Sequence, residues 1–291
     1  MGQALSAAVN LFKLNWRVFL LAIQGKWLSR ADYAASYDRT ASEYDRCWLS
    51  QLKQVTDVLL PQIPRLPQGH IIELGCGTGY ITEYLSIAFP RCSVSAIDLS
   101  MNMQSEAKKK VLARNVEFVC ADMLDFLKQS PDNSASMIVS GWAIGYSKPS
   151  RIIRESSRVL SRGGILAFVV NYRDTLKPVF HAYRACMMRF PESVRKAMIP
   201  RFPVSYASLE SILEKNGFEV IWHEDGSHAI EQPKGESGYR EWLLKTGVLA
   251  GFDSMLPLRN EGPVAEYFDK LLSESREPIT HHYIALVAKL T

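Results

Sequence analysis

The stretch Ile71-Ile72-Glu73-Leu74-Gly75-Cys76-Gly77-Thr78-Gly79-Tyr80 decides the reading of this 291-residue chain. An apolar run that ends in three alternating glycines and passes at once into a helix-like segment reads as strand, tight turn and helix start. Glycine at 75, 77 and 79 lets the backbone turn sharply and come close to a ligand. A dinucleotide fingerprint would need Gly-x-Gly-x-x-Gly, and position 80 is Tyr. Glu73 stands where a pyrophosphate would be repelled, which favours a zwitterionic ligand carrying an ammonium group.

Outward from this turn the pattern alternates. Apolar runs at 70–74, 93–97, 116–120, 136–140 and 165–170 read as strands, with helix-like segments at 81–89, 101–113 and 152–160 between them. Strand alternating with helix predicts an α/β domain: a parallel sheet with helices on both faces. Further on the pattern predicts a helix over 206–215, a strand over 218–222, helices near 239–248 and 264–273, and a closing strand near 282–288. The second strand ends at Asp98, 23 residues after Gly75, with Leu99 next and Met103 in the following helix. A carboxylate at that terminus can accept both hydroxyls of a ribose. The third strand ends in Cys120-Ala121-Asp122-Met123, which offers Asp122 to an exocyclic amine and Met123 to an adenine face. Either aspartate alone reads equally well as a helix N-cap; at the ends of successive strands beside a glycine turn, the two read as one site.

Composition sets the frame. With 47% hydrophobic and 22% charged residues the chain is an ordinary globular protein. The net charge of +4 is concentrated: Lys13, Arg17, Lys26 and Arg30 precede the first acid, Asp32. A second excess lies in 172–201, where Arg173, Lys177, Arg184, Arg189, Arg195, Lys196 and Arg201 outnumber Asp174 and Glu192. Two local basic features do not make a nucleic-acid-binding surface, so no nucleic acid is expected as a partner. The five cysteines (Cys47, Cys76, Cys92, Cys120 and Cys186) are odd in number and form no Cys-x-x-Cys pair, so they read as reduced, with no metal, in a cytoplasmic protein. No apolar run is long enough to span a bilayer.

The head carries an amphipathic helix. Asn10, Lys13, Arg17 and Gln24 fall on one narrow stripe, while Leu11, Phe12, Leu14, Trp16, Val18, Phe19 and Ile23 cover most of the rest. Three readings stand for it: a lid over an apolar pocket, a peripheral membrane contact, or a helix packed on the domain. The organisation expected is N-terminal helices over 1–49 and one domain over 50–291, with 172–201 as a substrate-cap insertion.

These motifs resemble the class I S-adenosylmethionine (SAM) dependent methyltransferases, and within them the small-molecule branch of quinone-biosynthetic and trans-aconitate-type enzymes. Further stretches carry the resemblance. Tyr37-Asp38 through Tyr44-Asp45 is similar to the Tyr-Asp pattern ahead of the domain in that branch, where a tyrosine approaches the cofactor. Ser140-Gly141-Trp142-Ala143 sits where the family's fourth strand opens onto the cofactor. Glu155 to Gly164 matches Glu-x-x-Arg-Val-Leu-x-Pro-Gly-Gly, with Arg162 in place of proline. The resemblance implies a Rossmann-like, seven-stranded, mostly parallel sheet whose last strand is antiparallel. It implies that Glu73, Gly75, Cys76, Gly77 and Gly79 hold the methionine part of SAM. Asp98 with Leu99 and Met103 would hold the ribose side, and Asp122 with Met123 the adenine. Tyr37, Tyr44, Ser140, Gly141 and Trp142 complete the expected set.

The activity so implied is methyl transfer to a small-molecule acceptor by in-line displacement. The basic, Met- and aromatic-rich insertion points to a hydrophobic, anionic metabolite methylated on oxygen or carbon, of isoprenoid or quinone-like kind. A trans-aconitate-type carboxylate O-methyltransferase and a non-catalytic partner subunit remain the alternatives. If a base is needed, His181, Tyr172 and Tyr146 are the candidates. His223 is expected on the far side of the site, and His281-His282 on an exposed rim.

Overall fold

The computed structural model describes residues 2–199, 201–232 and 238–291, and side chains from residue 8 onward. In chain order its helices and strands are α1 (Gly2–Ile23), α2 (Arg30–Tyr44), α3 (Ser50–Leu59), β1 (Gly69–Leu74), α4 (Tyr80–Ala88), β2 (Cys92–Asp98) and α5 (Met101–Lys110). Next come β3 (Val116–Cys120), α6 (Met123–Gln129), β4 (Ala135–Gly141), α7 (Pro149–Val159), β5 (Leu160–Asn171) and α8 (Lys177–Arg189). The chain closes with α9 (Tyr206–Lys215), β6 (Phe218–Ala229), α10 (Tyr239–Lys245), α11 (Phe252–Met255), α12 (Pro263–Glu274) and β7 (Thr280–Leu290). These divide into two compact units.

The sheet unit comprises residues 49–175, 200–228 and 281–291. Its sheet has seven strands in the order β3-β2-β1-β4-β5-β7-β6. β1 pairs in parallel with β2 and β4, β2 with β3, and β4 with β5, while β7 runs antiparallel to β5. Alternation along β1 sends Ile72 and Leu74 to one face and Ile71 to the other. The first face packs with Ile97, Phe168 and Val170 against Leu124 of α6, Ile153 of α7 and Leu209 and Leu213 of α9. The second packs with Val94, Val139 and Val169 against Leu59 of α3 and Leu85 of α4. Strand order reverses between β1 and β4, so the crevice at the carboxyl ends of β1, β2 and β4 is where such a sheet takes a ligand.

Within the Glu155–Gly164 motif, Arg158 is structural. Its guanidinium donates to the Ser130 carbonyl at 2.8 Å, the Leu127 carbonyl at 2.6 Å and the Asp132 and Glu155 carboxylates, tying the end of α6 to α7.

The helical unit comprises residues 1–48, 176–199 and 229–280. α1 lays Leu14 and Leu21 into contact with α8 and the 191–193 turn, and Arg17 Nε donates to the Val194 carbonyl at 2.8 Å. Ser29 and Asp32 form a reciprocal cap on α2, and Asp32 also accepts from Lys196 Nζ at 2.6 Å. Buried Asp253 accepts from Ser36, Arg39 and Arg259 at 2.6 to 2.9 Å. Arg240 on α10, 5% exposed, is held by Asp269, Glu261 and the Leu258 carbonyl at 2.8 Å each.

The chain thus divides differently from the expected 1–49 and 50–291: residues 229–280 cluster with the N-terminal helices and with 176–199. β6 runs on from the expected Trp222 to Ala229, and α6, which the sequence reading passed over, fills the turn after Asp122.

Candidate functional site

At the carboxyl end of β1 the chain turns through Gly75, Gly77 and Gly79 with φ of 77°, 52° and 88°. A side chain is strained at all three, yet the three serve different ends. A Cβ on Gly75 would run into the Ala143 methyl, and one on Gly79 would press Ala107 and Val111 at 3.0 to 3.2 Å, so these glycines let neighbouring elements close up. A Cβ on Gly77 would meet nothing within 4 Å. The Gly77 backbone is therefore bare toward open space, the condition for close approach by a ligand.

Asp98, at the end of β2, holds that turn in place. Its Oδ2 accepts from Gly77 N and its Oδ1 from Ser100 N, each at 2.8 Å. Ser100, and not Asp98, caps α5, through a 3.1 Å bond from Met103 N to Ser100 Oγ. Met103 itself, on α5, is 1% exposed and buried in the core. Leu99 and Asp98 are half-buried. Asp122 does cap a helix, accepting from Leu124 N and Asp125 N of α6 at 3.0 and 3.1 Å through Oδ1. Cap and ligand carboxylate are compatible here, because a carboxylate has two oxygens. Met123 stands beside it, half-buried.

Glu73 is 1% exposed and accepts from Thr82 Oγ1 at 2.6 Å. Burial, reinforced by the nearby charge of Asp98 and opposed by the Thr82 bond, pushes its carboxyl up to about 8. The same burial, with Glu73 and Asp98 close by, holds the Cys76 thiol well above its ordinary range, which leaves Cys76 a packing residue.

At the end of β4, Ser140 is wholly buried and donates to the Leu74 carbonyl at 2.7 Å, bracing β1 to β4 where they part. A Cβ on Gly141 would meet Ile81 Cδ1 at 2.5 Å. Trp142 holds φ at 63°, unusual for a bulky side chain. The conformation is fixed from several sides: Trp142 N donates to the Val169 carbonyl at 2.8 Å, Nε1 donates to Thr56 Oγ1 at 3.2 Å, and the ring packs edge-on against His281 and Tyr283.

His281 corrects the exposed-rim expectation. It is 1% exposed, its Nδ1 pairs with Asn171 Oδ1 at 2.8 Å, and burial holds its pKa down at about 3. The cause is topological: β7 inserts antiparallel beside β5, so its first residues lie at the carboxyl edge of the parallel strands. His282 stays partly exposed, with Nδ1 2.7 Å from Asp174 Oδ1.

Of the base candidates, Tyr172 is buried after β5, 4.9 Å between ring centroids from His282, and burial together with Asp225 raises its phenol far above the ordinary range. Tyr146 follows β4, half-buried, its ring edge-on to Phe202 at 6.5 Å. His181 lies exposed on α8, in the helical unit. Tyr37 and Tyr44 also belong to that unit, with rings 6.2 Å apart. His223 lies within β6 and stacks on Tyr206 at 4.1 Å.

The geometry fits SAM. Gly77 leaves room for close approach, and the carboxylates of Glu73, Asp98 and Asp122 stand at or beside the carboxyl ends of β1, β2 and β3. Comparison with known proteins agrees. Residues 72–168 match the family model described as a methyltransferase domain. The chain is 30% identical over 163 residues to a malonyl-[acyl-carrier protein] O-methyltransferase of Paenibacillus sp. (strain JDR-2), covering 52% of this chain and 56% of that protein. It is 26% identical over 222 residues to a trans-aconitate 2-methyltransferase of Sinorhizobium fredii, covering 73% and 81%. The chain thus spans about half the length of the first curated relatives it matches. In fold it is similar to the geranyl diphosphate C-methyltransferase of Streptomyces coelicolor A3(2), at TM-score 0.52 and 12% identity over 84% of this chain and 81% of that one. It is likewise similar to the YcgJ protein of Bacillus subtilis, at TM-score 0.54 and 15% identity over 82% and 98%. Residues 72–168 of the sheet unit thus carry a methyltransferase domain.

Proposed function

We propose that this chain, built around that methyltransferase domain, transfers the SAM methyl group to a carboxylate oxygen of a small anionic acceptor. The choice of acceptor rests on the curated relatives, named for malonyl-[acyl-carrier protein] O-methylation and trans-aconitate 2-methylation. Buried His281, paired with Asn171 and held neutral down to about 3, and buried Tyr172, which keeps its phenol proton, accord with it; His282, partly exposed beside Asp174, is the group another acceptor would call on as base. A phenol, carbon acid or ammonium acceptor needs a base; a carboxylate is already ionised at neutral pH and needs none.

SAM, when bound, supplies a methyl carbon already activated by its sulfonium. Glu73 would take the ammonium, the bare Gly77 backbone would border the methionine part, and Asp98 and Asp122 would hold ribose and adenine. Trp142 and His281 would wall the acceptor side and exclude water. A carboxylate acceptor would displace the sulfonium with no proton to be removed, so the task left to these residues would be alignment. We place the protein in the cytoplasm, where its five free cysteines would stay reduced.

Turnover with tritiated-methyl SAM against a panel of dicarboxylic acids and a panel of phenols tests the reading. The expected product is a methyl ester that releases volatile label on mild base treatment. A base-stable product would overturn the carboxylate assignment.

A further inference from the structure

The amphipathic helix α1 has two apolar faces, and only one is used. Leu14 and Leu21, seven residues apart, are 7% and 0% exposed and face the packed side of the helix. On the opposite side Val9, Phe12, Trp16, Phe19 and Ile23 recur at intervals of three and four, and are 45%, 69%, 54%, 53% and 66% exposed. A helix lying on a protein body normally turns charge to solvent; this one turns a continuous aromatic and aliphatic stripe. Trp16 and Phe19 rings lie 5.6 Å apart within it. Past the helix Trp27 is also 42% exposed, and it bridges to Ala197, two residues before exposed Ile199.

We propose that α1 docks the protein flat on an anionic lipid surface. This rests on α1 alone and not on the methyl-transfer reading. The cations decide the occupant: Lys13 and Lys26 are exposed, and no acid precedes Asp32. The one acid in the 191–193 turn against which α1 packs, Glu192, is flanked by Arg189 and Arg195. A second copy meeting this same face would bring cations against cations, with no acid in the helix to pair them. A leaflet of anionic headgroups supplies the charge, and its acyl boundary accepts the Trp and Phe rings. No helix among the described residues is long and apolar enough to cross a membrane, and the Leu14–Leu21 face is already packed, so α1 lies in the interface plane.

Co-sedimentation of the full chain with phosphatidylcholine vesicles, with and without phosphatidylglycerol, tests this. The wild type is expected to pellet with the anionic vesicles. Phe12→Ser/Trp16→Ser/Phe19→Ser is expected to lose at least about tenfold in partition, and Lys13→Gln/Lys26→Gln about fivefold per cation on anionic vesicles only. All three proteins should show the same circular-dichroism spectrum and the same cooperative urea unfolding, which shows that the variants fold. Brominated lipid should quench wild-type tryptophan fluorescence, a readout that needs no variant. Wild type remaining in the supernatant, equal pelleting of the triple variant, or a wild-type dimer that the triple variant turns into monomer without vesicle binding would each overturn the proposal.

Discussion

At Glu73 burial opposes the role proposed for it. A carboxyl that titrates at about 8 in the folded chain and at 4.5 when free holds a proton in the native state that the unfolded chain has released. Stability from this group therefore falls as pH rises from 4.5 through 8. Binding of an ammonium runs the other way, because it needs the carboxylate: SAM affinity should rise by up to about tenfold per pH unit toward 8 and then level off. Calorimetry in buffers of different ionisation enthalpy should register a proton released on binding. Glu73→Gln should abolish both the release and the slope, and a slope that persists in this variant would place the titration elsewhere. That Glu73, the glycines and Asp98 lie together was legible because they stand at the ends of two recognisable neighbouring strands. His281 was not, since nothing in its neighbours announces that β7 inserts beside β5 and carries it to the same edge.

At the scale of elements, the glycine turn separates packing from binding. Gly75→Ala meets both a positive φ and the Ala143 methyl, and should cost about 3 kcal/mol in urea unfolding. Gly77→Ala pays for the backbone alone, about 1 kcal/mol, yet should weaken SAM binding more than Gly75→Ala does, because its methyl occupies the open side of the turn. The reverse order in either measurement would contradict the roles assigned. The buried strands were legible because parallel strands covered on both faces read as continuous apolar runs. β6 beyond Trp222 was not: Glu224 and Asp225 suit an edge strand, where charge guards against pairing, and carry no apolar alternation. The seven residues of α6 offer too little periodicity to detect. For α1 the periodicity was plain, but only its packing reveals that Leu14 and Leu21 face inward and the Trp16 stripe outward.

For the whole molecule, the helical unit draws on three separate stretches of chain, and this is why no composition shift marked residues 229–280 as part of it. Its polar ties, Asp253 with Ser36, Arg39 and Arg259, and Lys196 with Asp32, join residues up to 217 apart in sequence, which no local pattern can announce. The sheet unit by contrast keeps the expected seven strands, mostly parallel with the last antiparallel, and places Glu73, Gly77, Asp98 and Asp122 at adjoining strand ends. The central claim is that this edge binds SAM. Titration calorimetry of SAM into the full chain tests it most directly. Saturable one-to-one heat is expected, weakened at least about tenfold in an Asp98→Ala variant that still unfolds cooperatively. No heat and no thermal shift in the wild type would contradict the account, and leave a methyltransferase fold serving as a non-catalytic subunit.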